Sequence, residues 1–93
     1  MRTIEWTGQF KHDYRREKKG RHARVLDGLM GDILPILAAD LPLAESHRDH
    51  ALTGEWNDCR DCHIKPDLVL IYLRSGDDTL RLVRLGSHSE LGL

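Results

Sequence analysis

The chain has 93 residues, 40% of them hydrophobic and 31% charged, with a formal net charge of −1. That length fits one small domain over residues 1–93, and the composition is that of a folded polypeptide rather than a disordered one. No apolar run approaches the roughly 20 residues of a membrane span, and the N-terminus lacks the layout of a secretory signal, so membrane, secreted and multidomain classes are not expected.

The small net charge conceals an asymmetry. Residues 1–24 carry +5, with Arg2, Lys11, Arg15, Arg16, Lys18, Lys19, Arg21 and Arg24 outweighing Glu5, Asp13 and Glu17, whereas residues 25–93 carry −6. A basic N-terminal third suits phosphate or an acidic protein as partner, and equally a solvated helix face.

In chain order, the alternation of Arg2 to Thr7 predicts a first strand, punctuated by Gly8. Polar residues from Gln9 to Lys19, with Phe10 and Tyr14 one helical turn apart, predict helix one, and Gly20 is its expected C-cap. A second helix is expected from about Arg21, its apolar stripe drawn from Val25 or Leu26, Leu29 or Met30, Ile33 and Leu37. Pro35 is expected to kink that helix or end it early.

A polar connection from Asp40 to Thr53 leads into three expected strands, Glu55 to His63, Asp67 to Leu73 and Thr79 to Leu85. The second of these is nearly continuous in apolar residues and should lie at the centre of the sheet. The predicted order is β-α-α-β-β-β, an α+β sandwich with two helices on an antiparallel sheet.

Cys59-Arg60-Asp61-Cys62-His63 matches the C-x-x-C-H pattern of haem attachment. Strand alternation, however, would send the two thiols to opposite faces, which speaks against haem, a redox pair and a shared zinc alike. Two buried, reduced cysteines are the simpler expectation.

Four titratable side chains fall at element ends: His50, His63, Asp67 and His88. Only three residues separate His63 from Asp67, and the antiparallel return of the last strand carries His88 toward them. Imidazoles with a carboxylate suit metal binding, or proton transfer near neutral pH. RNA brings its own nucleophile, the 2′-hydroxyl, so its cleavage needs only a base, an acid and cations for the phosphate oxygens. Arg60, Arg84 and Lys65 are the candidate RNA-binding cations. Against these stand plainer readings: His12 and His22 as surface helix residues, Asp49 and Asp61 as surface charges, and Arg60 and Arg84 as salt-bridge partners.

Three segments narrow the choice. Asp49 to Gly54, the run Arg60-Asp61-Cys62-His63-Ile64-Lys65-Pro66-Asp67 with its apolar continuation to Tyr72, and Leu85-Gly86-Ser87-His88-Ser89-Glu90-Leu91 together resemble the YafQ-type toxins of the RelE/ParE superfamily. The resemblance covers essentially the whole chain. It implies the sandwich fold and a cytoplasmic bacterial toxin that cuts translated mRNA on the ribosome, without metal or other cofactor. It further implies a cognate acidic antitoxin as partner and places His50, His63, Asp67 and His88 at the catalytic positions. Within that set, Asp67 is the expected general base and His88 the general acid, with His50 and His63 orienting the scissile phosphate; a histidine as base is the alternative. The basic first helix would rest on ribosomal RNA or on the antitoxin.

Two departures from the family pattern stand out. Gly92 and Leu93 follow the G-x-H motif where relatives carry an aromatic, and Leu68 stands where Trp is common. Base stacking on such rings is worth about 1–3 kcal/mol, so codon preference is the property least expected to carry over. The competing readings are a ParE-like poison that binds DNA gyrase, and a metal or haem protein using the histidines with Cys59 and Cys62.

Overall fold

Five strands form one sheet in the order β1-β5-β4-β3-β2, in a computed structural model that describes all of residues 1–93. The strands are β1 (Thr3–Trp6), β2 (His50–Ala51), β3 (Arg60–Lys65), β4 (Leu68–Ser75) and β5 (Thr79–Gly86); the helices are α1 (Gly8–Glu17), α2 (Leu26–Ala38) and a short α3 (His88–Leu91). β3, β4 and β5 make an antiparallel meander, β2 adds antiparallel to β3, and β1 closes the far edge parallel to β5. The expected β-α-α-β-β-β order holds, with β2 and α3 as additions.

The apolar run of β4 is central because both faces of the sheet are covered there. Leu68, Leu70 and Tyr72 join Phe10, Leu26, Met30, Ile33 and Leu37 in the main core beneath α1 and α2. Val69 and Ile71 point the other way, into a smaller cluster with Cys59 and Leu91. Each fully buried leucine is worth about 2 kcal/mol of transfer energy, and the main core holds most of them.

Helix boundaries differ from expectation. Thr7 caps α1 by accepting from the Phe10 amide at 3.2 Å, so Gly8 opens the helix instead of separating it from the strand. The helix ends at Glu17 with Lys18 as C-cap, ahead of Gly20. Residues 21–25 form turns, and α2 starts at Leu26, where the buried stripe begins. Pro35 does not end α2, which runs on to Ala38. Burial of Leu34, Leu37 and Ala38 holds that last turn against the missing amide.

The third strand also starts later than its alternation implied. Residues 54–56 form a turn of 3-10 helix, entered through Gly54 at φ +70°, and the Cys59 amide bonds back to the Trp56 carbonyl at 2.8 Å. Only from Arg60 does the chain extend. Cys62 then enters the main core and Cys59 the smaller cluster on the other face; both are free thiols. Burial pushes the Cys62 thiol up to about 12, which keeps it protonated and inert.

Candidate active site

Strand register determines which side chains meet. His50 pairs with Asp61 across β2 and β3, and His63 stands two residues beyond Asp61 on the same face, opposite Cys62 and the helices. His63 pairs in turn with Val69, and Val69 with Gly86, so His88, two residues past Gly86, comes round to His63. The two rings meet edge to face with centroids 5.0 Å apart. Together with Ser46, Arg48 and Pro66 they line a cleft of about 540 Å³.

Asp61 lies behind this cleft, 3% exposed. Its Oδ1 is 3.0 Å from His50 Nδ1, yet that nitrogen is only 2.6 Å from the Arg48 carbonyl, and one N–H serves one acceptor well. The shorter contact takes the hydrogen bond, and Asp61 Oδ1 is left as a buried carboxylate oxygen without a donor. Burial raises the Asp61 pKa above the ordinary carboxylate value, opposed by the positive potential of His50, His63 and His88. Its charge is thus directed at all three imidazoles.

Burial lowers the His63 pKa below 6.5; Asp61 opposes this, while His88, Arg48 and His50 add to it. At neutral pH His63 is therefore mostly the free base, able to accept a proton. The His63 carbonyl also bonds His47 Nδ1 at 2.8 Å, which fastens the turn at 45–47 to β3.

Asp49, the residue before His50, is anchored to the sheet. Asp49 Oδ1 accepts from Tyr72 Oη at 2.5 Å and from Arg60 Nε at 3.1 Å. Burial, with Asp49 adding to it, pushes the Tyr72 phenol well above its usual range, so it stays a donor. Arg48 adopts the left-handed conformation (φ +48°), which turns its carbonyl onto His50 Nδ1.

The remaining expected site residues lie elsewhere. Asp67 turns away from His50, His63 and His88: its Oδ2 is 2.8 Å from Arg21 Nη1 and its Oδ1 is 3.1 Å from His22 Nε2. It opens onto an adjoining cleft with Arg21, His22, Val25 and Lys65, and Pro66 is the wall common to both. His22 is thus no idle surface residue; its side chain is 12% exposed and holds Asp67. Lys65 shares that second cleft. Arg60 turns to Asp49, in a groove with Asp40 and Arg74. Arg84 binds the fully buried Asp13 of α1, Nε to Oδ2 at 2.7 Å. Both arginines take the salt-bridge role that the sequence also offered.

Asp61, which the sequence offered as a surface charge, is buried instead, and Arg48 is the cleft residue that the sequence did not single out. Asp61 had a readable signal, an i,i+2 spacing from His63 on a strand, but its neighbour His50 pairs through a two-residue strand that no alternation announces. Arg48 had none, because its place depends on a left-handed backbone. The C-x-x-C-H run does not converge: its thiols occupy opposite faces, and no three His, Cys, Asp or Glu side chains are grouped as metal ligands.

Comparison with known proteins follows the same lines. Residues 2–92 match the family model described as the bacterial toxin of type II toxin–antitoxin systems, YafQ. The mRNA interferase toxin YafQ of Escherichia coli K12 is 37% identical over 91 residues, covering 98% of this chain and 96% of that one. A Haemophilus influenzae protein bearing the YafQ name is 52% identical over 56 residues, a stretch spanning 57% of this chain and 55% of that protein. Among solved structures, a copper-bound mutant toxin from Helicobacter pylori superposes with a TM-score of 0.83 at 35% identity, covering 98% of this chain and 99% of that one. The E. coli DinJ–YafQ complex gives 0.78 at 32% identity, covering 98% of each chain.

Proposed function

Because the chain belongs to the YafQ family of type II toxin–antitoxin toxins, we propose that it is an mRNA interferase that cuts translated message on the ribosome by acid–base catalysis. The observation that carries the reading is the His63–His88 pair, 5.0 Å apart in a cleft with Arg48 and backed by buried Asp61.

The chemistry needs little else. Neutral His63 takes the proton of the 2′-hydroxyl, and the oxygen attacks the adjacent phosphorus. The bond to the 5′-oxygen breaks as His88 gives that oxygen its proton, leaving a 2′,3′-cyclic phosphate and a free 5′-hydroxyl. Arg48 offsets the charge gathering on the phosphoryl oxygens, and Asp61 favours the imidazolium that proton uptake creates on His63. His50, held by the Arg48 carbonyl, orients the phosphate from the Asp61 side. Proton acceptance goes to His63, the histidine alternative, in place of Asp67, the base first expected, because both Asp67 oxygens are engaged by Arg21 and His22. Asp67 then serves at the rim, with Lys65, where the strand leaves the cleft across Pro66.

The E. coli relative is seen in complex with an antitoxin. Here an acidic antitoxin in the bacterial cytoplasm would meet the basic surface of α1, where Lys11 and Arg15 flank Trp6, Phe10 and Tyr14. No helix of the chain is long and apolar enough to cross a membrane.

Primer extension on mRNA from cells expressing the chain tests the reading. Discrete, translation-dependent 5′ ends are expected, reduced to a residual level in His88→Ala. Uncut message together with inhibited DNA supercoiling by gyrase would transfer the chain to the ParE-like mode of action.

A further inference from the structure

His88 stands near the end of the chain, in a helix of four residues that is far too short to hold itself. What holds it is a network reaching back to α1. Asp13, fully buried, accepts from the Leu85 amide at 3.0 Å and from Arg84, and Arg16 Nη1 lies 3.2 Å from its Oδ1. The same Arg16 donates through Nη2 to the Leu85 carbonyl at 2.8 Å. Its Nε bonds Glu17 at 3.0 Å and lies 3.1 Å from Glu90 Oε2. Glu90 in turn closes a capping box with Ser87: its Oε1 accepts from the Ser87 amide at 2.8 Å, and its own amide donates to Ser87 Oγ at 3.1 Å. The guanidinium passes so close over Gly86 that a Cβ there would stand 2.8 Å from Arg16 Nη2.

Arg16 thus grips the chain on both sides of the two residues that precede His88. We propose that Arg16 is a positioning residue for His88, fixing the Gly86–Ser87 turn from α1 so that the imidazole faces His63. The proposal rests on His88 acting as the acid. It also gives the glycine of the G-x-H motif a reason: only a residue without a side chain leaves room for the guanidinium. A shift of about 1 Å in a catalytic group is enough to cost on the order of 100-fold in rate.

The test uses purified full-length variants on ribosomes programmed with message. Arg16→Gln is expected to slow single-turnover cleavage about 10- to 100-fold, with affinity for the ribosome changed less than twofold. In a His88→Ala background the same substitution should have no further effect. An equal loss in both backgrounds, or a loss of ribosome binding with an unchanged cleavage rate, would overturn the proposal and make Arg16 a fold or RNA contact. Arg16→Lys keeps the charge but cannot serve Leu85, Asp13 and Glu90 at once, so it should lose rate partially; full activity there counts against the idea even if the glutamine variant does not fold. If the wild-type chain cuts nothing, the functional reading fails while imidazole NMR still decides the positioning claim. His88 ring signals should then average in Arg16→Gln, and unchanged His63–His88 cross-peaks would refute it.

Discussion

The rings of His63 and His88 touch edge to face, centroids 5.0 Å apart, although one belongs to β3 and the other follows β5. Two imidazoles this close do not both carry a proton without cost, and His88 accordingly lowers the affinity of His63 for one. Burial and Arg48 act on His63 in the same direction, and it therefore stands neutral near pH 7. A ring held neutral in a cleft is what a general base requires.

The acid limb of the cleavage rate follows from it. His63 must be unprotonated to act, and its pKa lies below 6.5, so activity should fall only as the pH drops below that value. Arg48→Gln removes a positive charge that disfavours protonation. The limb should then move to higher pH, while the rate at pH 7 falls as phosphate stabilisation is lost. Rate measurements between pH 5 and 8, with an NMR titration of His63, check both shifts.

Asp61→Asn should separate stability from activity. The folded-state pKa of Asp61 is raised above 3.8, so the ionised carboxylate is penalised in the fold and stability rises as pH falls through that pKa. Replacing it with an amide should leave the Tm at pH 7 unchanged or higher. Cleavage should drop about 10- to 100-fold, because His63 loses the counter-charge that supports its protonated form. A lower Tm with intact cleavage would contradict this account.

Asp13→Asn is expected to do the reverse of sparing the fold. It removes the partner of Arg84 and Arg16 inside the protein, a loss of about 3 kcal/mol when a buried pair is broken. For Asp13, burial opposes ionisation, but the bonds from Arg84 and Leu85 with the charges of Arg84 and Arg16 outweigh it and lower the pKa. The stability it contributes is accordingly full above about pH 3.8 and lost as pH falls through the lower folded value. Urea unfolding of wild type and variant at pH 7 and down to pH 2 measures this; the two curves should converge in acid.

Gly86→Ala should cost activity with little stability. The new methyl meets the tip of the Arg16 side chain at 2.8 Å, a flexible group that moves aside cheaply but then releases the Leu85 carbonyl. Cleavage is expected to fall about tenfold while the urea midpoint stays within the range of ordinary surface changes, roughly 0.5 kcal/mol.

Loss of one hydrogen bond behind the site has a smaller, separable effect. Tyr72→Phe removes the phenol that holds Asp49, and should cost about 1 kcal/mol of stability. His50, two residues after the left-handed Arg48, should then show broadened ring signals by NMR while His63 and His88 keep theirs.

What could be read from the chain were the features that depend on neighbours in sequence. Periodicity located the stripe of Leu26, Met30, Ile33 and Leu37, the buried run of β4 and the antiparallel return of β5, because a helix or strand repeats its contacts at a fixed interval. Motif spacing likewise brought His63 and His88 to one edge. It missed the helix boundaries at Glu17 and Leu26, and of its two expectations for Pro35, a kink or an early end, tertiary burial overrode the early end.

By itself, then, the order of residues determined the α+β architecture, the family and the pair of imidazoles, since each rests on local pattern or short motif. Only the tertiary structure decided that Asp61 rather than Asp67 faces those rings, that Arg48 rather than Arg60 or Arg84 lines their cleft, and that Arg16 stands over Gly86. Charge partners come from distant parts of the chain, and a side chain's choice among several oppositely charged neighbours is settled by distance and burial, neither of which sequence separation encodes.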